Sequence, residues 1–193
     1  ALRNWGIEGN MNVVLLNLRD WKWQAGFGIG HYQNKVTKLP APSDNFITTY
    51  ALDANGQKDL ASAKTIQGYT SSVYGQNNIL TAVGQAAGVF YGYQTAGVFA
   101  SDADASQAGK YGYLRYPTGL VSQPYRNFQA GDVHFVDQNG DGWINEADMV
   151  KIGDPNPDIY GNIYTSLTWK GFTLAADFKY SLGNDVFNYQ RSQ

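Results

Sequence analysis

Residues 137–148, "DQNGDGWINEAD", place oxygen-bearing side chains at alternate positions: Asp137, Asn139 and Asp141, then a glycine at Gly142. Alternate spacing turns successive carboxylates toward one centre, and hard cations such as calcium take about six to eight oxygen ligands. On that pattern Asp137, Asn139 and Asp141 hold positions 1, 3 and 5, and Trp143 offers its backbone carbonyl at 7. Asn145 and Asp148 then fall at 9 and 12, where an aspartate reaches less far than the usual glutamate. The same residue types also build a self-bonded turn from Asx and Asn-Gly chemistry. A structural calcium and a hydrogen-bonded turn both remain open at this point. The preceding "GDVHFV" reads as a strand, so a helix–loop–helix setting is not expected.

Little else in the chain points to chemistry. His31 and His134 have no ligand-spaced partner, and the chain has 0 cysteines, which removes disulfides and thiolate metal sites. No Ser–His–Asp set, paired catalytic carboxylates or phosphate-cradling loop stands in a persuasive context, so an enzyme is not expected. A net charge of −2 with no basic cluster gives no footprint for nucleic acid. Only 16% of residues are charged while 15% are aromatic, a mixture that disfavours disorder and coiled coil. The apolar run "VVLL" at 13–16 is far too short for a transmembrane helix. The opening "ALRNWGIEGN" lacks the basic start and apolar stretch of a signal peptide. The expectation is that the mature protein starts there or that the chain is a piece of a longer one.

The elements that must carry the aspartate loop are read from period-two alternation. Ile7, Gly9, Met11, Val13 and Leu15 fall on one face of a strand over 7–16. After "NLRD", Trp21, Trp23, Ala25, Phe27 and Ile29 share a face over 21–33, opposite Lys22, Gln24, Gly26, Gly28 and Gly30. The same pattern predicts strands over 159–169 and 172–182 around a two-residue turn at "KG". Each hairpin has one apolar face, with Trp21, Trp23, Trp169 and Phe172 beside the short turns. A membrane β-barrel has strands of about 9–11 residues, aromatic girdles, tight periplasmic turns and long external loops. A soluble sandwich alternates in the same way. Four strands do not close a barrel, so the barrel reading makes this chain a segment of a larger one.

Between the hairpins, residues 37–82 are polar and rich in turn signals, 84–99 suggest a short strand pair, and 101–130 look loop-like. The two prolines of "KIGDPNPD" stop regular structure before the second hairpin. The resulting division is a barrel hairpin at 1–36, a long extracellular loop with short strands at 37–158, and a barrel hairpin with the start of the next external loop at 159–193.

"GDVHFVDQNGDGWIN" followed by "IGDPNPDIYGNIYTSLTWKGFTLAADFKYSLGNDVFNY" resembles the C-terminal barrel region of the SusC/RagA family of TonB-dependent outer-membrane transporters. "NWGIEGNMNV", "WKWQAGFGIGHYQNKVTKL" and "GVFYGYQTAGVF" resemble successive upstream blocks of that family, in the same order. Residues 40–80 and 101–128 carry no resemblance, and Gly9 stands where the family usually has a bulkier residue. The resemblance implies an all-β segment of a large antiparallel transmembrane barrel of about twenty-two strands. It also implies multi-pass placement in the outer membrane, a plug domain elsewhere in the protein through which TonB delivers energy, and a SusD-like surface lipoprotein over the outer mouth. The implied substrates are glycans (oligosaccharides) or peptides. The alternative is a soluble extracellular β-sandwich binding module with a structural calcium loop. Phe90, Tyr91, Tyr93, Phe99 and Tyr113 are candidates for contact with a sugar or the lid protein, with ordinary packing the competing role. Asp177 and Lys179 share the lumen-side parity, where they pair with each other or line the channel.

Overall fold

The computed structural model describes residues 1–40, 46–73, 76–106, 115–120 and 123–188. In chain order its strands begin with β1 (Leu2–Asn17), β2 (Trp21–Val36), β3 (Phe46–Thr49), β4 (Lys64–Val73), β5 (Gln76–Ala82), β6 (Val89–Tyr93) and β7 (Thr95–Val98). A one-turn helix α1 (Asp102–Ala105) precedes β8 (Arg115–Leu120), β9 (Gln123–Asn127), β10 (Val133–Phe135), β11 (Met149–Gly153), β12 (Ile159–Trp169) and β13 (Phe172–Leu182). The fold is all-β with antiparallel sheets. It divides into two compact units: residues 1–37, 84–87 and 153–193 form one, and residues 38–83 and 88–152 the other.

The first unit is a four-stranded antiparallel sheet in the order β1-β2-β12-β13. Its register aligns the apolar rows of all four strands. Met11 stands opposite Phe27, Phe27 opposite Ile163, and Ile163 opposite Phe178. Trp21, Trp169 and Phe172 line up at the turn end, with the two indole rings 5.6 Å apart. These side chains are exposed: Ile7 is 68% accessible, Leu174 73% and Phe178 66%. Within this unit no second sheet covers them. Trp23 satisfies its indole N–H on Thr165 Oγ1 at 2.9 Å, on the apolar face itself.

The opposite face is built around three missing side chains. Gly26, Gly28 and Gly30 of β2 face Asn12, Asn10 and Glu8 on one side and Tyr164, Asn162 and Tyr160 on the other. Both tyrosines reach across this glycine row: Tyr164 donates to Asn12 Oδ1 at 2.7 Å, and Tyr160 donates to Glu8 Oε1. A Cβ at Gly26 would stand 2.5 Å from the Tyr164 ring, and one at Gly30 2.5 Å from the Tyr160 ring. The apolar face repeats the device once, where Tyr180 lies over Gly161 and donates to the Gly28 carbonyl at 3.1 Å. Aromatic cover of strand glycines supplies the packing that glycine lacks and fixes register.

The turns follow their sequences. Lys170 and Gly171 both have positive φ, 44° and 90°, and Trp169 pairs directly with Phe172, the geometry of a two-residue primed turn. The 18–20 turn docks beside it, with Lys170 N donating to Asp20 O at 3.0 Å. Two details differ from the alternation. β1 and β2 run past residues 7 and 33 to the pair Leu2–Val36, because backbone pairing continues where the apolar pattern has ended. A bulge also interrupts β1: Val14 faces Gln24 and Leu16 faces Trp23, so Leu16 takes the place on the apolar row that simple parity gives to Leu15.

The second unit holds a five-stranded sheet in the order β11-β6-β5-β4-β3, the pair β10-β7 and the hairpin β8-β9. The polar stretch at 37–82 therefore supplies three strands of one sheet. Residues 84–99 do form two strands, but not a pair: β6 joins β5, whereas β7 joins β10. Residues 101–130, expected as loop, contain α1, β8 and β9. A small core of Phe99, Ala105, Phe128 and Ile144, flanked by Tyr93 and Phe135, holds the base of the aspartate loop.

The glycine row generates a contrast within one sheet. Gly30→Val must displace the Tyr160 ring and is expected to cost about 1–3 kcal/mol, as overpacking does. Gly9→Val on the same sheet meets nothing within 4 Å and is expected to stay within about 0.5 kcal/mol of wild type. Denaturant unfolding of the intact protein, read by tryptophan fluorescence, should separate the two variants.

Candidate functional site

The aspartate loop begins where β10 ends and closes on a single 3-10 turn at Glu146–Asp148. Gly140 and Gly142 take positive φ, 75° and 82°, and let the chain double back twice within a few residues. Asp137 accepts the Gly140 amide on Oδ1 at 2.7 Å and the Gly142 amide on Oδ2 at 2.8 Å. Asn139 accepts the Asp141 amide and donates its own side-chain amide to Asp141 Oδ2 at 3.0 Å. Asn145 caps the 3-10 turn through Ala147 N, and Asp148 answers by accepting the Asn145 amide at 2.8 Å, a reciprocal capping box.

Asp148 is fully buried and takes a second amide, from Gln138, at 2.9 Å. Burial pushes its carboxyl above the usual range; the Asn145 and Gln138 amides pull it back, and the Asp137 and Asp141 charges push it further up. Trp143 is buried beneath the Arg115 guanidinium, 5.2 Å from its ring, and donates its indole N–H to Asp53 O at 2.9 Å. Asp141 extends the same grip by accepting the Leu52 amide at 2.7 Å. The loop therefore clasps residues 50–56 as well as itself. That clasp is absent from the spacing of the aspartates; the one hint is the pairing of "DANGQ" with an unusual buried tryptophan.

The six residues nominated for a metal all lie in this one loop. Both oxygens of Asp137, Asp141 and Asp148 accept an N–H, and Asp141 Oδ2 accepts two, from Leu52 and from the Asn139 side chain, so a lone pair stays free on every one of these oxygens except Asp141 Oδ2. The donor set is therefore chemically compatible with a hard cation. Among the described residues, no three Asp, Glu or His groups are already gathered closely enough to share an ion.

A cleft of about 780 Å³ opens beside the loop, lined by Tyr50, Lys58, Tyr93, Phe135, Asn145 and Glu146 among others. Lys58 sits over the Tyr50 ring at 5.2 Å, and Arg126 pairs with Asp132 at 3.5 Å on the same cleft. Of the aromatics proposed for ligand or lid contact, Tyr93 reaches the cleft. Tyr91 and Phe99 are instead buried packing residues, 8% and 6% exposed, Tyr91 within β6 and Phe99 in the small core just after β7. Tyr113 lies outside the described residues. His134 stacks on Phe99 at 4.4 Å, and His31 meets Trp5 edge-on with its ring nitrogen at the Asp158 carbonyl. Asp177 accepts from the Asn162 amide at 3.2 Å rather than pairing with Lys179.

No family model matches the chain. Curated relatives do. TonB-dependent receptor P3 of Formosa agariphila is 29% identical over 97% of this chain and 16% of its own length. TonB-dependent receptor P26 of the same organism is 27% identical over 92% of the chain and 18% of its length. TonB-dependent receptor SusC of Bacteroides thetaiotaomicron is 24% identical over 97% and 14%. The chain is similar to a segment of SusC-like TonB-dependent receptors. This SusC-like segment spans about a sixth of the length of the first of those relatives. Its four aligned strands are the strand-rich, apolar-faced architecture that a barrel wall requires.

In this SusC-like segment Asp148→Ala is expected to orphan the buried amides of Gln138 and Asn145, at about 1–3 kcal/mol for each. Limited proteolysis of the intact receptor should show faster cleavage within 137–148 in the variant, with the membrane-embedded part unaffected.

Proposed function

We propose that the segment is part of the wall of an outer-membrane TonB-dependent importer of oligosaccharides or peptides. The supporting observation is the continuous exposed apolar face of the four-stranded sheet, which a hydrocarbon environment would cover favourably. In this reading the 18–20 and Lys170–Gly171 turns lie at the periplasmic side and residues 37–158 stand outside the cell. A SusD-like lipoprotein closes over that external unit, and TonB acts on a plug domain elsewhere in the protein. The chain itself performs no catalysis; its polar face, with Glu8, Asn12, Tyr160, Tyr164 and Asp177, lines the interior. Among the described residues no helix is long and apolar enough to cross a membrane.

A structural calcium in the aspartate loop is the second part of the reading. Asp137, Asn139, Asp141, Asn145 and Asp148, with the Trp143 carbonyl, would hold it. When bound it would supply charge neutralisation beside Asp148, whose proton affinity the Asp137 and Asp141 charges raise. The ion would stiffen the external unit.

Two measurements test these readings. A cysteine introduced at Leu60, which is 75% exposed, should react with a membrane-impermeant maleimide in intact cells, whereas one at Lys170 should react only after the outer membrane is permeabilised. The reverse pattern would invert the topology. Calcium should slow proteolysis at 137–148 in the wild-type receptor and have no such effect on a D137A/D141A variant. Equal protection with and without calcium would leave the loop as a self-bonded turn.

A further inference from the structure

The apolar face ends at its outer side in a pair of cations. Arg3 of β1 stands directly opposite Lys35 of β2, on the row that continues Trp5, Ile7 and Met11 on one strand and Gln33, His31 and Ile29 on the other. Like charges directly opposite across two strands repel. Both residues are exposed, and among the described residues neither has an acidic partner at ion-pair distance. Such a pair on a lipid-facing row calls for an anion.

Its height identifies which anion. The ten steps of β2 from Trp21 to His31 cover about 33 Å at about 3.3 Å each, and a tilt of about 40° reduces this to about 25 Å, the height of an outer-membrane apolar band. Trp21 with Trp169 marks one end of that band, and the edge-to-face pair Trp5–His31, 5.5 Å between ring centroids, marks the other. Arg3 and Lys35 lie four strand steps beyond Ile7 and His31, about 10 Å further along the membrane normal by the same tilt. That is headgroup depth, and long basic side chains reach back along an apolar wall toward it. Because β2 leads from the short 18–20 turn into the long 37–158 connection, this end faces the external leaflet.

We propose that Arg3 and Lys35 form a binding site for the phosphate of an anionic lipid headgroup in the outer leaflet. The two cations accept one phosphate between them, Arg3 through its planar fork and Lys35 as a point charge, and the apolar row below takes the acyl chains. The site fixes the vertical position of the wall and adds a lipid to the rim from which the external unit departs. This inference rests on the barrel reading of the sheet.

The test uses the intact receptor, purified in mild detergent, beside an R3Q/K35Q variant and a K22Q/K179Q control that removes two cations from the opposite face. Each is equilibrated with phosphatidylcholine vesicles containing a minor fraction of diphosphorylated lipid A, re-extracted, and weighed by native mass spectrometry. Retained lipid A should fall severalfold in R3Q/K35Q and stay at the wild-type level in the control. Fully dephosphorylated lipid A should be retained equally by wild type and R3Q/K35Q. Millimolar inorganic phosphate should leave the retained lipid in place; complete displacement by it would assign the site to free phosphate and overturn the lipid source. Equal retention of diphosphorylated lipid A by all three proteins overturns the proposal. A protein that co-purifies with wild type and is lost from R3Q/K35Q, with lipid retention unchanged, overturns it in favour of a protein contact. Heat-modifiable mobility and recovery in the outer-membrane fraction are read on every sample. A receptor lacking both defeats the barrel reading itself, whereas a folded, inserted receptor with unchanged lipid retention defeats only this inference.

Discussion

The pairing of β2 with β12 is the constraint on which the rest of the first unit depends. It joins hairpins that are far apart in sequence, and its register runs unbroken from Tyr160–Gly30 to Trp169–Trp21. A slip of one residue would exchange the two faces of half the sheet, moving indoles inward and carboxylates into lipid. The register is pinned at three levels along the strands. The indole pair Trp21–Trp169 holds one end, and the Trp23–Thr165 hydrogen bond holds the next rung. The tyrosines that span the glycine row hold the other end. Tyr160 and Tyr164 contact β1 across β2, so they also tie together two strands that share no ladder.

Glycine does two separate jobs in the chain. In β2 and β12 it vacates space so that an aromatic ring from a neighbouring strand can lie against the backbone. In the aspartate loop it supplies positive φ, which aims the Gly140 and Gly142 amides at the Asp137 carboxylate. The first use produces a flat, polar, well-tied wall, and the second a compact turn whose charge is internally solvated. Asp148 shows how far that solvation goes. A fully buried carboxylate is retained because two amides meet it, even though its acidic neighbours oppose its ionisation.

The wall was far more legible from sequence than the external unit. β12 and β13 fall at the bounds that alternation assigns them, since Lys170–Gly171 is a turn signal with a single geometric solution and the apolar row has no interruption. β1 hid its bulge because Val14, Leu15 and Leu16 are all apolar, so the pattern is silent on which one is displaced. The ends of β1 and β2 hid because pairing from Leu2 to Val36 is a backbone property that leaves no alternation in "LRNWG" or "QNKV". In the second unit the strands at 89–93 and 95–98 are visible, but their partners are not, because those come from distant segments chosen by packing. The aspartate spacing identified the loop, while its hold on Leu52 and Asp53, some 90 residues away, left no local trace.

The long excursion between the two hairpins also sets an order of events during synthesis. Each hairpin is a local structure that can form on its own, with strand partners separated by two or three residues of turn. Their mutual pairing must first close a loop of roughly 120 residues, an entropic toll of about 4 kcal/mol from the logarithmic term alone. Contacts of that separation are late and slow compared with hairpin formation. Before them, two aromatic-faced ribbons exist with bare edges, each showing its apolar row to water, which makes that interval the one most prone to aggregation.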